Sequence, residues 1–120
     1  KKQNNPVIPL LLKFDNVKMQ SSDEFTDFNT LYSAKNLATS GVGTFPIAAA
    51  LLSNKLENFY YSDYYLKEHL NPDMLTSKSI NHYKIKIKNY IPHNQWKNTK
   101  SNLNKMTSNT IKIDLPDNFN

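Results

Sequence analysis

The chain has 120 residues and a formal charge of +5, with 38% hydrophobic and 12% aromatic residues. That is one domain of ordinary size with enough apolar matter for a real core, which excludes wholesale disorder and a multidomain enzyme. Cysteine is absent, which excludes disulfides, a thiol nucleophile and Cys-ligated zinc, and no run approaches the roughly 18 apolar residues of a membrane span.

All 15 basic residues are lysine, and 17 residues are asparagine. An AT-rich coding sequence accounts for this bias. A basic chain also fits a nucleic-acid or anionic-membrane surface. Arginine, the residue suited to bidentate phosphate and guanine contacts, is missing, however. The lysines are also spread along the chain. Residues 1–6, Lys1 to Pro6, are polar and patternless. They read as a tether, either following an export cleavage site or as an ordinary terminus. A single domain is expected over 7–120.

Val7 to Met19 reads as a first strand, with Leu10, Leu12 and Phe14 alternating with Leu11, Lys13 and Asp15 and a bulge near Asp15-Asn16. Ser21 to Ala38 reads as a short amphipathic helix followed by a loop. Ser21 and Glu24 have capping-box spacing, and Phe25, Phe28, Leu31 and Tyr32 recur at helical intervals. Gly41 and Gly43 mark a turn. Phe45 to Leu52 reads as a central strand, with a helix as the competing assignment because of its alanines. Leu56 to Leu70 reads as a helix along Leu56, Phe59, Tyr60, Asp63, Leu66 and Leu70, closed by Asn71-Pro72-Asp73.

Asn81 to Ile91 alternates. Tyr83, Ile85 and Ile87 share one face, and Lys84, Lys86 and Lys88 line a solvated one. Pro92 to Ser108 reads as a long loop around Trp96, with one helical turn through Leu103 and Met106. Ile111, Ile113 and Leu115 form a last strand. The sum is a mainly β domain with one or two short helices, most economically a sandwich.

Little points to catalysis. His69, His82 and His93 lack metal-ligand spacing, and there is no GxSxG or phosphate-cradling loop. Asp23, Glu24 and Asp27 suit the field of a helix N-terminus. Asp63, flanked by Tyr60, Tyr61, Tyr64 and Tyr65, is expected to accept local hydrogen bonds and fix a turn.

One stretch is more specific. Phe45-Pro46-Ile47-Ala48-Ala49-Ala50-Leu51-Leu52 followed by Phe59-Tyr60-Tyr61-Ser62-Asp63-Tyr64 resembles the type VI secretion outer-membrane lipoproteins of the TssJ class. Their F-x-x-[AS]-D-[FY] signature is matched by Phe59, Ser62, Asp63 and Tyr64, with Leu56 as the preceding Leu. Trp96-Lys97 is similar to the family's Trp and basic residue, and Ile111 to Asn118 to its closing strand and turn. Leu10 to Met19 fits its opening strand. The chain departs from the family in lacking Gly and Arg in the strand before Trp96, in a shorter segment between the motif and Trp96, and in an enlarged stretch between the first two strands.

The resemblance implies a small antiparallel β-sandwich, transthyretin-like, with one or two short helices. It implies an exported lipoprotein, acylated on a cysteine preceding Lys1 and held at the periplasmic face of the outer membrane. It implies no enzymatic activity and no cofactor or metal. The partner would be the periplasmic C-terminal domain of a TssM-like inner-membrane protein, with no nucleic acid expected. In the family the loop between the first two strands is implicated in that contact. Here it is Gln20 to Thr44, with Phe25, Phe28, Leu31 and Tyr32 as candidate anchors; alternatively that face caps the domain's own core. Phe59, Ser62, Asp63, Tyr64 and Trp96 would be structural, packing helix onto sheet. The competing function is a basic β-rich nucleic-acid module, with the Lys84–Lys88 face tracking phosphates and tyrosines stacking on bases.

Overall fold

A computed structural model describes residues 5–40, 42–65, 70–92 and 95–119. The expected tether therefore lies mostly outside the described residues, as do His69, His93 and the end of the helix expected at Leu56–Leu70.

The class is α/β. The elements run α1 (Val7–Leu11), α2 (Glu24–Tyr32), β1 (Asn36–Thr39), α3 (Thr44–Leu52), β2 (Asn58–Ser62), a 3-10 helix (Pro72–Ser77), β3 (Asn81–Lys88), α4 (Lys100–Met106) and β4 (Lys112–Asp114). The strands form one four-stranded sheet in the order β1-β2-β3-β4. β1–β2 and β2–β3 are parallel, and only β3–β4 is antiparallel. The expected mainly β, antiparallel character is thus corrected to a mixed sheet with several helices. No second sheet is present among the described residues.

Parallel neighbours need a crossover. The first is α3; the second carries the 3-10 helix. Both cover the same face of the sheet. Ile47 and Ala50 of α3 and Leu75 of the 3-10 helix pack with Leu37 of β1, Phe59 and Tyr61 of β2, and Leu56. Phe59, Ile47 and Leu75 are fully buried. Helix α2 packs outside α3.

Parallel sheets usually bury both faces, but among the described residues no helix other than α3 and the 3-10 helix belongs to the core cluster, which covers one face only. The opposite face is polar and aromatic. It begins with an amide ladder. Asn58 Nδ2 donates to Asn36 Oδ1 at 2.7 Å, and Asn81 Nδ2 to Asn58 Oδ1 at 2.8 Å. These three residues are in register across the strands. Next comes a stacked pair, Tyr60 on Tyr83 at 4.6 Å, with the Phe119 ring edge-on to both. Asn118 Nδ2 donates to the His82 carbonyl and ties this tail to β3.

Several expectations over the first half are corrected. Val7–Met19 is not a strand. It forms the five-residue α1 and then turns, with no buried residue in the helix. Pro6 and Pro9 suit a helix start, and Leu10, Leu11 and Leu12 are exposed together rather than alternating. The short helix expected within Ser21–Ala38 is present as α2, but Asp23 rather than Ser21 caps it. The Asp23 carboxylate accepts from Thr26 N at 2.9 Å and Thr26 Oγ1 at 2.6 Å. The chain then leaves for β1. At Phe45–Leu52 the competing assignment holds and the segment is α3, entered through Gly43 at φ 101°, a conformation that favours glycine.

Leu56–Leu70 is not a helix where it is described. Asn58–Ser62 is a strand, with Phe59 and Tyr61 facing the core and Tyr60 facing away. The aromatic run has strong strand propensity.

The second half follows the pattern more closely. The alternation over Asn81–Ile91 gives β3, the turn through Leu103 and Met106 is α4, and the last strand is β4. β3 ends at Asn89, which is left-handed (φ 59°) and whose Nδ2 donates to the Thr110 carbonyl at 3.1 Å. That bond sets β4 beside β3.

Candidate functional site

A polar cluster joins the 3-10 helix to the sheet. The Asp73 carboxylate accepts from Tyr61 Oη at 3.1 Å, Tyr65 Oη at 2.9 Å, and Lys84 Nζ at 3.2 and 3.4 Å. Lys84 Nζ also lies 5.8 Å from the Tyr61 ring centre and 5.3 Å from that of Tyr65. Tyr61 and Lys84 are register partners on β2 and β3, so the sheet presents both on one face. Asn71 places Asp73 by accepting from its amide at 2.8 Å. Lys84 thus stands on the same face as exposed Lys86 and Lys88, as its alternation suggested, but is half-buried and engaged with Asp73.

Burial alone would raise the Asp73 carboxyl, but the hydrogen bonds from Tyr65 and Lys84, the Lys84 charge and the Tyr61 hydroxyl outweigh it and hold it below the usual range. Burial would lower Lys84, and Asp73 outweighs that too. Burial, then the Asp73 charge and hydrogen bond, push Tyr61 up to about 12. Carboxylate, ammonium and phenol all keep their ordinary neutral-pH states. The cluster therefore clamps the 3-10 helix to the sheet and offers no proton-transfer group near neutrality.

Its pH signature has two sides. The lowered Asp73 contributes stability that is complete above the unfolded value near 3.9 and is lost as pH falls through the folded value. The raised Tyr61 contributes stability that is complete below about 10 and is lost as pH rises toward about 12. Thermal melts across pH are expected to lose part of the acid limb in Asp73→Asn and part of the alkaline limb in Tyr61→Phe. Unchanged limbs would show that the clamp contributes nothing.

The motif residues cluster around β2. Phe59 is fully buried and stacks on Tyr61 at 5.2 Å. Ser62 Oγ donates to the Ser40 carbonyl and accepts from Tyr64 N at 3.1 Å. Asp63 N donates to the Ile85 carbonyl at 2.9 Å, and its carboxylate accepts from Ile87 N at 3.0 Å, prolonging the β2–β3 ladder past the strand end. The tyrosines flanking Asp63 do not serve it: Tyr61 and Tyr65 turn to Asp73. Tyr64 Oη donates to the Pro92 carbonyl at 3.2 Å, and its ring meets Tyr90 edge-on at 5.4 Å. Trp96 is not brought to this group. It lies outside helix and strand and is 43% exposed.

The four candidate anchors separate along α2. Phe25 is 82% exposed. Phe28 is half-buried and meets Phe45 of α3 edge-on at 5.4 Å. Leu31 packs on the core, and Tyr32 gives its carbonyl to Ser53 Oγ at 2.6 Å. The helix thus meets the core through its C-terminal end and leaves Phe25 exposed at the other, one turn from the Phe28–Phe45 contact.

Strand alternation divides the nucleic-acid reading. Lys84, Lys86 and Lys88 point to one face of β3, whereas the Tyr60–Tyr83–Phe119 stack is on the other. Two of those lysines are also paired, with Asp73 and Asp114.

His82 Nε2 lies 3.3 Å from the Lys78 carbonyl, and its buried Nδ1 has no hydrogen-bond partner among the described residues. A groove of about 470 Å³ between Tyr90–Pro92 and α4 is lined mainly by amides and hydroxyls, with Lys105 bonded to Thr110 Oγ1. No cluster of three or more His, Asp or Glu able to hold a metal occurs among the described residues, and no described helix is long and apolar enough to cross a membrane. In comparisons with known proteins, no family model, curated protein or solved structure matches the chain.

Proposed function

We propose that this chain is a non-enzymatic docking protein. In the reading that its Phe45–Tyr64 motif supports, it is a lipid-anchored member of a type VI secretion membrane complex. An acylated cysteine preceding Lys1 would hold it at the periplasmic face of the outer membrane. Its partner would be the periplasmic C-terminal domain of a TssM-like inner-membrane protein.

The observation that carries the docking role is Phe25. It is 82% exposed and lies one helical turn before Phe28, whose ring meets Phe45 edge-on. Burying such a ring is worth about 1.5–3 kcal/mol, and aromatic residues are common interface anchors. Asp23, Glu24 and Asp27 surround it on the first turn, so the surface disfavours polyanions and fits a protein partner. The sandwich of the family belongs to this reading only as a second sheet over the Tyr60–Tyr83 face, which the Phe119 ring meets edge-on. Motif and surface carry the proposal, and the mixed sheet does not.

The test is titration with the recombinant periplasmic domain of the TssM-like protein. Phe25→Asp is expected to weaken binding about tenfold or more with an unchanged melting temperature. Undiminished binding by the folded variant would remove this face, and no binding by the unmodified protein would remove the partner. Intact mass of the native protein tests the anchor: a tri-acylated cysteine in the outer-membrane fraction supports it, and an unmodified soluble protein overturns it.

A further inference from the structure

Among the described residues β4 ends the sheet, and its outer edge has a self-complementary pattern. β4 pairs with β3 on one side, and Lys112, Ile113 and Asp114 are all exposed. Ile87 N points toward β2, where it donates to Asp63. By antiparallel alternation, Lys86 and Lys88 then turn their backbone groups to β4, and Ile113, opposite Ile87, turns its own N–H and C=O outward.

The charges on this edge are unbalanced. Asp114 lies opposite Lys86 and is bonded by Lys88 Nζ at 2.5 Å. Lys112 lies directly opposite Lys88, a like-charge pairing that destabilises a ladder. Three ammoniums thus share one carboxylate, and what Lys112 lacks is a carboxylate on its outer side. The segment Ile111-Lys112-Ile113-Asp114-Leu115 supplies one when turned end for end. With Ile113 against Ile113 of a second copy, each Lys112 faces an Asp114 and each Ile111 faces a Leu115. Ile113 and Leu115 are 60% and 52% exposed, so both have apolar surface to bury.

We propose that two copies of this chain associate through their β4 edges as an isologous antiparallel pair, joining their sheets into one. The two Ile113 residues exchange backbone hydrogen bonds. Lys112 and Asp114 then occupy the non-hydrogen-bonded positions, where opposed side chains come closest. A strand of unrelated sequence would leave these charges unmatched, and charged edges ordinarily deter such pairing. The contact is small beside a standard interface, so association is expected to depend on concentration and to weaken with salt. This proposal is independent of the docking role.

Sedimentation velocity of the full chain over a range of concentrations tests it, with circular dichroism confirming the fold of each variant. The unmodified protein is expected to dimerise. Lys112→Asp and Asp114→Lys, which make the edge uniformly acidic or basic, should each weaken self-association about tenfold or more. Mixing the two variants should restore a dimer, and the double exchange K112D/D114K should dimerise alone. A protein that stays monomeric at every concentration, or single variants that dimerise like the parent, would overturn the proposal.

Discussion

Phe59→Ala is expected to destabilise the fold by about 3–5 kcal/mol, the usual cost of emptying a fully buried aromatic site. Phe59 has no exposed surface, lies on β2 between β1 and β3, and packs with Ile47, Ala50 and Leu75 from both crossovers. It also stacks on Tyr61, so its loss loosens the Asp73 clamp. Domains of this size hold only about 5–15 kcal/mol in total, so the variant should sit near the edge of folding at physiological temperature. Chemical denaturation measures this directly. Phe59→Leu, which keeps most of the volume, should cost less than half as much. A loss under about 1 kcal/mol in Phe59→Ala would mean that β2 does not organise the core.

Lys78→Met is expected to cost about 2–3 kcal/mol, in the range of hydrogen bonds to charged groups. The last carbonyls of a helix have no partner within it. At the end of α3, Lys78 Nζ donates to the carbonyls of Ala50 at 3.2 Å, Leu51 at 2.7 Å and Ser53 at 2.6 Å. α3 has no basic residue in its own last turn, so this ammonium also answers the negative end of the helix dipole. Met keeps the aliphatic stem and removes the donors, so the measured loss isolates them. Lys78→Gln should recover part of it. A midpoint of denaturation unchanged in Lys78→Met would show that water satisfies those carbonyls equally well.

The sequence revealed elements where one face meets water. β3 was legible because Ile85 and Ile87 alternate with exposed Lys86 and Lys88. β1 was not, because Leu37 is its only buried residue and four residues carry no period. β2 was misread because Leu56, Phe59, Tyr60 and Asp63 also satisfy helical spacing, and because aromatic residues stand on both of its faces, Phe59 and Tyr61 in the core and Tyr60 on Tyr83, the alternation does not show as apolar against polar. α3 was ambiguous because alanine suits a helix while the flanking Phe45 and Ile47 suit a strand.

The candidate site was legible in part. Phe25 and Phe28 stood out as an apolar helix face, but nothing local shows that Leu31 and Tyr32 approach the core while Phe25 does not. The Asp73 clamp was missed because its partners come from separate elements. In sequence Asp63 is the carboxylate among tyrosines, and folding delivers two of them to Asp73 instead. Lys78 was equally hidden, since the carbonyls it meets lie 25 to 28 residues upstream.

The amide ladder bears on how the sheet assembles. Its two links join residues 22 and 23 positions apart, so closing either crossover costs nearly the same chain entropy, differing by only about 0.04 kcal/mol. Neither flank of β2 has a kinetic head start from loop length. A slip of one residue at either pairing would set asparagine amides against the core face and strip them of partners. The ladder therefore acts as an alignment key that rejects misaligned intermediates, and the order in which β1 and β3 join β2 falls to the hydrophobic contacts each crossover brings with it.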